Sequence, residues 1–88
     1  MFGISLNSMS LIIADSNDLT RAGLRYILTS LTSIPIVGEA KDSLELENQI
    51  AAFNTSLVLI DYTSIGFDIN IISKIIRVNK NIKFIAIT

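Results

Sequence analysis

The 88-residue sequence predicts an α/β domain built as a doubly wound parallel sheet, and three observations carry that prediction. Short apolar runs, too brief for helices, recur along the chain, as strands buried on both faces require. Segments with apolar residues at helical spacing separate them, and strand-helix alternation of this kind implies right-handed crossovers and helices on both faces of the sheet. Two of the runs, Ser10-Leu11-Ile12-Ile13-Ala14-Asp15 and Leu57-Val58-Leu59-Ile60-Asp61, end abruptly on a carboxylate. An ionised Asp costs several kcal/mol to bury unpaired. Each Asp is therefore expected at a strand's carboxyl end, in the crevice where open parallel sheets place their ligands. If the two strands are neighbours, Asp15 and Asp61 lie side by side.

Each element follows in order. Ser10–Ala14 is the first strand, and Ser16, Asn17 and Asp18 are good caps for the helix after it. That helix is predicted over 18–32, with Leu24, Ile27, Leu28 and Leu31 as its inward stripe at i, i+3, i+4 and i+7. Thr20, Arg21 and Arg25 fall off the stripe. Ser33-Ile34-Pro35 breaks the helix, and Pro35–Ala40 reads as a strand entered through proline, hence an edge strand.

Asp42-Ser43 starts the second helix, with Glu45 spaced for a capping box and Leu46, Ile50 and Phe53 facing inward. Leu57–Ile60 is the central strand. Asp68 caps a third helix carrying Ile69, Ile72, Ile75 and Ile76 at helical spacing, although isoleucine favours strands. Asn79-Lys80-Asn81 closes it, and Ile82–Thr88 is a fourth strand on which the sequence stops.

Composition narrows the function classes. A formal net charge of −1 with only 17% charged residues gives no basic excess for direct nucleic-acid or anionic-membrane binding. Histidine and cysteine are absent, which excludes disulfides, thiolate zinc sites and His-based catalysis. Oxygen ligands are the metal chemistry that remains. Residues 1–8 lack the features of a signal peptide and read as an N-terminal extension before a domain over 9–88; no segment approaches the ~20 apolar residues of a membrane span. The expected location is cytoplasmic.

The ordered pieces Leu11-Ile12-Ile13-Ala14-Asp15, Leu19-Thr20-Arg21-Ala22-Gly23-Leu24, Val37-Gly38-Glu39-Ala40, Leu57-Val58-Leu59-Ile60-Asp61 and Phe84-Ile85-Ala86-Ile87-Thr88 resemble the receiver domain of bacterial two-component response regulators. Arg21-x-Gly23-Leu24 and Val37-Gly38-Glu39-Ala40 are most similar to the NarL/LuxR-type subfamily, whose output domain binds DNA. The resemblance implies a flavodoxin-like receiver fold, here truncated after the fourth strand. It also implies that Asp61 is the phosphoacceptor, that Asp15, Asp61 and the backbone carbonyl of Thr63 hold Mg²⁺, and that the Thr88 hydroxyl contacts the phosphoryl group as the switch residue. The implied partner is a histidine kinase.

Three departures from the family pattern stand out. Ser16 replaces the second of two adjacent acids, so Mg²⁺ binding is expected to be weak. Asp18 stands nearby, where the family usually has proline, as a cap, a surface acid or a further ligand. Ile65 and Ile69 replace a proline and a later glycine after the acceptor, while Gly66 keeps backbone freedom. The family's last strand and its lysine lie beyond Thr88. Lys80 and Lys83 precede the fourth strand and belong at the opposite end of the sheet.

A sheet edge and an uncovered apolar face at the fourth strand lead to an expectation of self-association. The leading functional expectation is a phosphorylation-controlled receiver, not itself an enzyme. The alternative is a degenerate receiver acting as an interaction or dimerisation module, motivated by Ser16 and the altered loop. A hydrolase built on Asp61 is disfavoured, because Thr63 stands where its second acid would be.

Overall fold

In the computed structural model, residues 9–87 are described. Four strands, β1 (Leu11–Ala14), β2 (Ile36–Ala40), β3 (Leu57–Ile60) and β4 (Lys83–Ala86), alternate with helices α1 (Asp18–Leu31), α2 (Ser43–Ala52) and α3 (Ile69–Val78). The strands form one parallel sheet in the order β2-β1-β3-β4. This is the expected doubly wound α/β architecture. β2, entered through Pro35, lies at an edge as its proline predicts, and β4 closes the opposite edge of the described sheet.

Each helix start is set by a short polar side chain. Asn17, rather than Asp18, caps α1, accepting from the Thr20 amide at 2.8 Å. Asp42 caps α2 by accepting from the Glu45 amide at 2.8 Å, and Glu45 returns a contact to the Lys41 amide at 2.9 Å. The box thus closes one residue earlier than the standard pattern. Asp68 caps α3, accepting from the amides of Asn70 and Ile71. For α3, periodicity overrides isoleucine's strand preference, because Ile72 and Ile75 reach the core.

Alternation along the strands sends successive side chains to opposite faces. On one face Ile12, Ala14, Ala40, Val58 and Ile60 pack with Leu46 of α2 and Ile72 and Ile75 of α3, with Ile50, Phe67, Ile82 and Phe84 around them. The other face carries Leu11, Ile13 and Leu59, all at most 9% exposed.

Two expected inward stripes are corrected. α1 has no buried residue: Leu24 and Leu28 are half-buried, whereas Ile27 is 51% and Leu31 79% exposed. The spacing identifies a helix face correctly but does not reveal how little of the sheet one helix alone can cover. Phe53 is the C-cap of α2 and 41% exposed, because the helix ends one residue before it could turn inward. β4 is also shorter than the run Ile82–Thr88. Residues 1–8 and Thr88, and with them the expected N-terminal extension and the expected switch residue, lie outside the described residues.

Candidate functional site

β1 and β3 pair in register, Ala14 opposite Ile60, so the residues that follow them, Asp15 and Asp61, leave the sheet side by side at its carboxyl end. Backbone bonds hold both: the Asp15 amide donates to the Ala40 carbonyl and the Asp61 amide to the Ala14 carbonyl, each at 2.9 Å. Asp15 is only 3% exposed, and Asp61 is half-buried.

Local donors orient both carboxylates. Oδ1 of Asp15 accepts from the Asn17 amide at 2.8 Å. Oδ1 of Asp61 accepts from the Thr63 amide at 3.0 Å and from the Thr63 hydroxyl at 2.5 Å. These bonds fix the direction of each carboxylate. Among the described residues, neither Oδ2 nor the Thr63 carbonyl takes part in a hydrogen bond. These oxygens are therefore available to a hard cation.

Two carboxylates and a carbonyl suit Mg²⁺, which keeps several waters and commonly uses one or two protein carboxylates. The set is lean: no cluster of three or more acidic, histidine or cysteine side chains occurs among the described residues. Asp18 does not supply the missing acid, since its carboxylate pairs with Arg21 and its side chain is 90% exposed. Lys83 opens β4 opposite Leu57, the first residue of β3, and so lies at the far end of the sheet from the two aspartates.

Several contributors escaped the sequence reading. Ser64 bridges the two acid-bearing loops: its hydroxyl accepts from the Ser16 amide at 3.2 Å and donates to the Asp61 carbonyl at 2.8 Å. Buried Ser43, at the start of α2, accepts from the Asp68 amide at 2.9 Å, while its own amide donates to the Gly66 carbonyl at 3.0 Å. Gly66 has φ +99°, and a Cβ there would meet the Lys41 carbonyl oxygen at 3.1 Å. Here the backbone freedom that the sequence already assigns to Gly66 is required. Polar residues in turns give no sequence signal of partners 25 to 48 residues away.

Arg21 is the other. Its Nη1 donates to the Asp15 carbonyl at 2.6 Å and its Nε to Glu39 Oε1 at 3.0 Å, with Asp18 on Nη2. Arg25 Nε donates to the other Glu39 oxygen at 2.7 Å. Burial opposes ionisation of Glu39, but the bonds and charges of Arg25 and Arg21 outweigh it and hold the carboxyl below the usual glutamate range. For Arg21 too, burial works against the charged form, yet Asp18 and Glu39 raise its pKa further.

No family model and no curated protein sequence matches the chain. Solved structures do. The non-phosphorylated receiver domain of the stress response regulator RcsB from Escherichia coli superimposes with a TM-score of 0.81 at 28% identity, over 93% of this chain and 66% of that one. RcsB in a complex of two dimers with two parallel DNAs gives 0.79 at 27% identity, over 89% and 42%. RcsB from Salmonella enterica serovar Typhimurium, bound to the rprA promoter with phosphomimetic BeF3−, gives 0.79 at 27% identity, over 89% and 41%. The chain thus spans about two fifths of full RcsB chains and two thirds of the isolated receiver domain. With the paired aspartates in place on four parallel strands, the described residues have the flavodoxin-like α/β fold of a response-regulator receiver domain and are similar to that of RcsB.

Proposed function

We propose that this chain is a phosphorylation-controlled switch that accepts a phosphoryl group on Asp61 and governs a separate DNA-binding output. The observation that carries the reading is the register of β1 with β3, which sets Asp15 beside Asp61 at the open end of the sheet. A carboxylate oxygen of Asp61 attacks phosphorus, forming an acyl phosphate O–P bond. The bond from phosphorus to the donor breaks with its electron pair. From a phosphohistidine of a histidine kinase the imidazole leaves and takes up a proton; from a small acyl phosphate the carboxylate leaves.

The half-buried setting of Asp61 limits water around it, while Thr63 aims its carboxylate. Asp15 Oδ2, Asp61 Oδ2 and the Thr63 carbonyl would hold Mg²⁺, and Thr88 would bond the phosphoryl oxygen. The bound ion supplies positive charge against the carboxylates and the transferring phosphoryl oxygens. With Ser16 in place of an acid, the reading expects weak Mg²⁺ binding. It also includes self-association, to which the exposed apolar Ile27, Leu31 and Ile85 lend support. No helix among the described residues is long and apolar enough to cross a membrane; the proposed switch is a cytoplasmic one.

A second reading, an interaction module without phosphotransfer, is favoured by one observation: no three-acid cluster occurs among the described residues. Intact mass after incubation with acetyl phosphate separates the two. The first reading expects a phosphoryl adduct that requires Mg²⁺ and is lost in Asp61→Asn, on this chain or on one extended beyond Thr88. No adduct on the extended chain would select the interaction module.

A further inference from the structure

No residue of α1 is completely buried: Leu24 and Leu28 are half-buried on the side of the sheet where Leu11, Ile13 and Leu59 are covered. The helix's directional attachment is polar. The Arg21 side chain, only 12% exposed, reaches three acceptors in three places: the Asp15 carbonyl at the end of β1, Glu39 in β2, and Asp18 in the first turn of its own helix. Glu39 is in turn shared with Arg25, one turn along α1.

The Asp15 contact is the informative one. The Asp15 peptide is gripped from both sides, its amide donating to the Ala40 carbonyl and its carbonyl accepting from Arg21. The carboxylate on the same residue is one of the two brought together beneath the phosphoacceptor loop. A planar guanidinium with fixed donor directions can set that peptide's orientation, which a lysine ammonium at a single point cannot. By engaging Asp18 the same guanidinium also holds that acid on the helix surface, away from Asp15 and Asp61.

We infer that Arg21 is a positioning residue for the cation site: by clamping the Asp15 carbonyl between α1 and β2, it fixes the direction in which the Asp15 carboxylate meets Mg²⁺. The inference rests on the proposed function for its link to the metal, and on geometry alone for the clamp. Outer contacts that orient metal ligands are commonly worth about 10-fold or more in affinity. Arg21→Gln therefore weakens Mg²⁺ binding by about that factor, Arg21→Lys restores only part of it, and Glu39→Gln, which leaves the Asp15 contact in place, has the smallest effect.

Two measurements on the full chain test this. The first needs no metal: amide hydrogen exchange in Arg21→Gln is expected to accelerate about 10-fold at Ser16 and Asn17 while the β3 amides keep their protection, which also shows the variant folded. Unchanged exchange at Ser16 and Asn17, or equal loss across β3, would overturn the clamp. The second is a Mg²⁺ titration followed by the Ser16 and Thr63 amide shifts, with Asp61→Asn as control. A graded rise in half-saturating Mg²⁺ from wild type through Lys to Gln supports the metal link, and identical midpoints overturn it. A wild-type chain without any Mg²⁺ response would sink the cation-site reading and the metal link with it, while the exchange result still decides the clamp.

Discussion

On one face of the sheet, α2 and α3 bury Leu46, Ile72 and Ile75 at 2% exposure or less against Ile12, Val58 and Ile60. On the other, Leu11, Ile13 and Leu59 of the sheet are buried although no residue of α1 is itself completely buried, and α1 adds polar contacts to the sheet through Arg21, Arg25 and Glu39. The first face is held by area removed from water, a non-directional force proportional to contact. The second adds to apolar burial a few directional bonds around the mostly covered Arg21 guanidinium. The two acids leave the sheet from strands buried by the first face, but the loop that aims Asp15 belongs to the second. Stability and site geometry in this chain therefore rest on different residues.

Substitutions break the comparison in order of size. Leu46→Ala and Ile12→Ala, at fully buried positions, are expected to cost about 3 kcal/mol each by urea unfolding, from lost transfer energy and the cavity left behind. Values below about 1 kcal/mol would mean that the α2–α3 face is not the stable core. Arg21→Ala removes a largely buried cation and leaves the Asp15 carbonyl without its partner, for about 2 kcal/mol in the same assay. Gly66→Ala forces a residue with a side chain to φ +99°, with the Lys41 carbonyl in the way, and should cost ~1–2 kcal/mol.

The α1 side also predicts a pH effect with a definite sign. Glu39 titrates below its ordinary value in the folded chain, so its contribution is fully present above the unfolded pKa of ~4.3 and is lost as pH falls through the depressed folded value. Melting temperature followed downward from pH 6 should therefore fall less steeply in Glu39→Gln than in wild type. Parallel curves would argue that Glu39 carries no net ion pairing. Last, Leu31→Gln at a 79% exposed position should change stability by no more than about 0.5 kcal/mol. A large loss would show that Leu31 itself is packed.

The same contrast explains what could be read from the sequence. Apolar runs closing on Asp15 and Asp61 announce both strands and the end of the sheet where their acids emerge, because burial on two faces and the cost of a buried charge are local constraints. Pro35 places β2 at the edge, and Asp42 and Asp68 mark their helices by capping chemistry that spans three residues. Leu24, Ile27, Leu28 and Leu31 name the apolar face of α1, but whether anything covers that face depends on elements elsewhere. Arg21 and Glu39 are 18 residues apart and Ser16 and Ser64 are 48. Such partners meet only after the sheet has ordered its strands, and no periodicity encodes them.

The joint use of Asp15 and Asp61 is the centre of the account, and ¹⁹F NMR of the chain with BeF3− and Mg²⁺, extended beyond Thr88 to receiver length, tests it most directly. A bound fluoride signal that requires Mg²⁺ and disappears in both Asp61→Asn and Asp15→Asn is the predicted result. A bound signal indifferent to Mg²⁺ or to Asp15, or no bound signal at all, would contradict it.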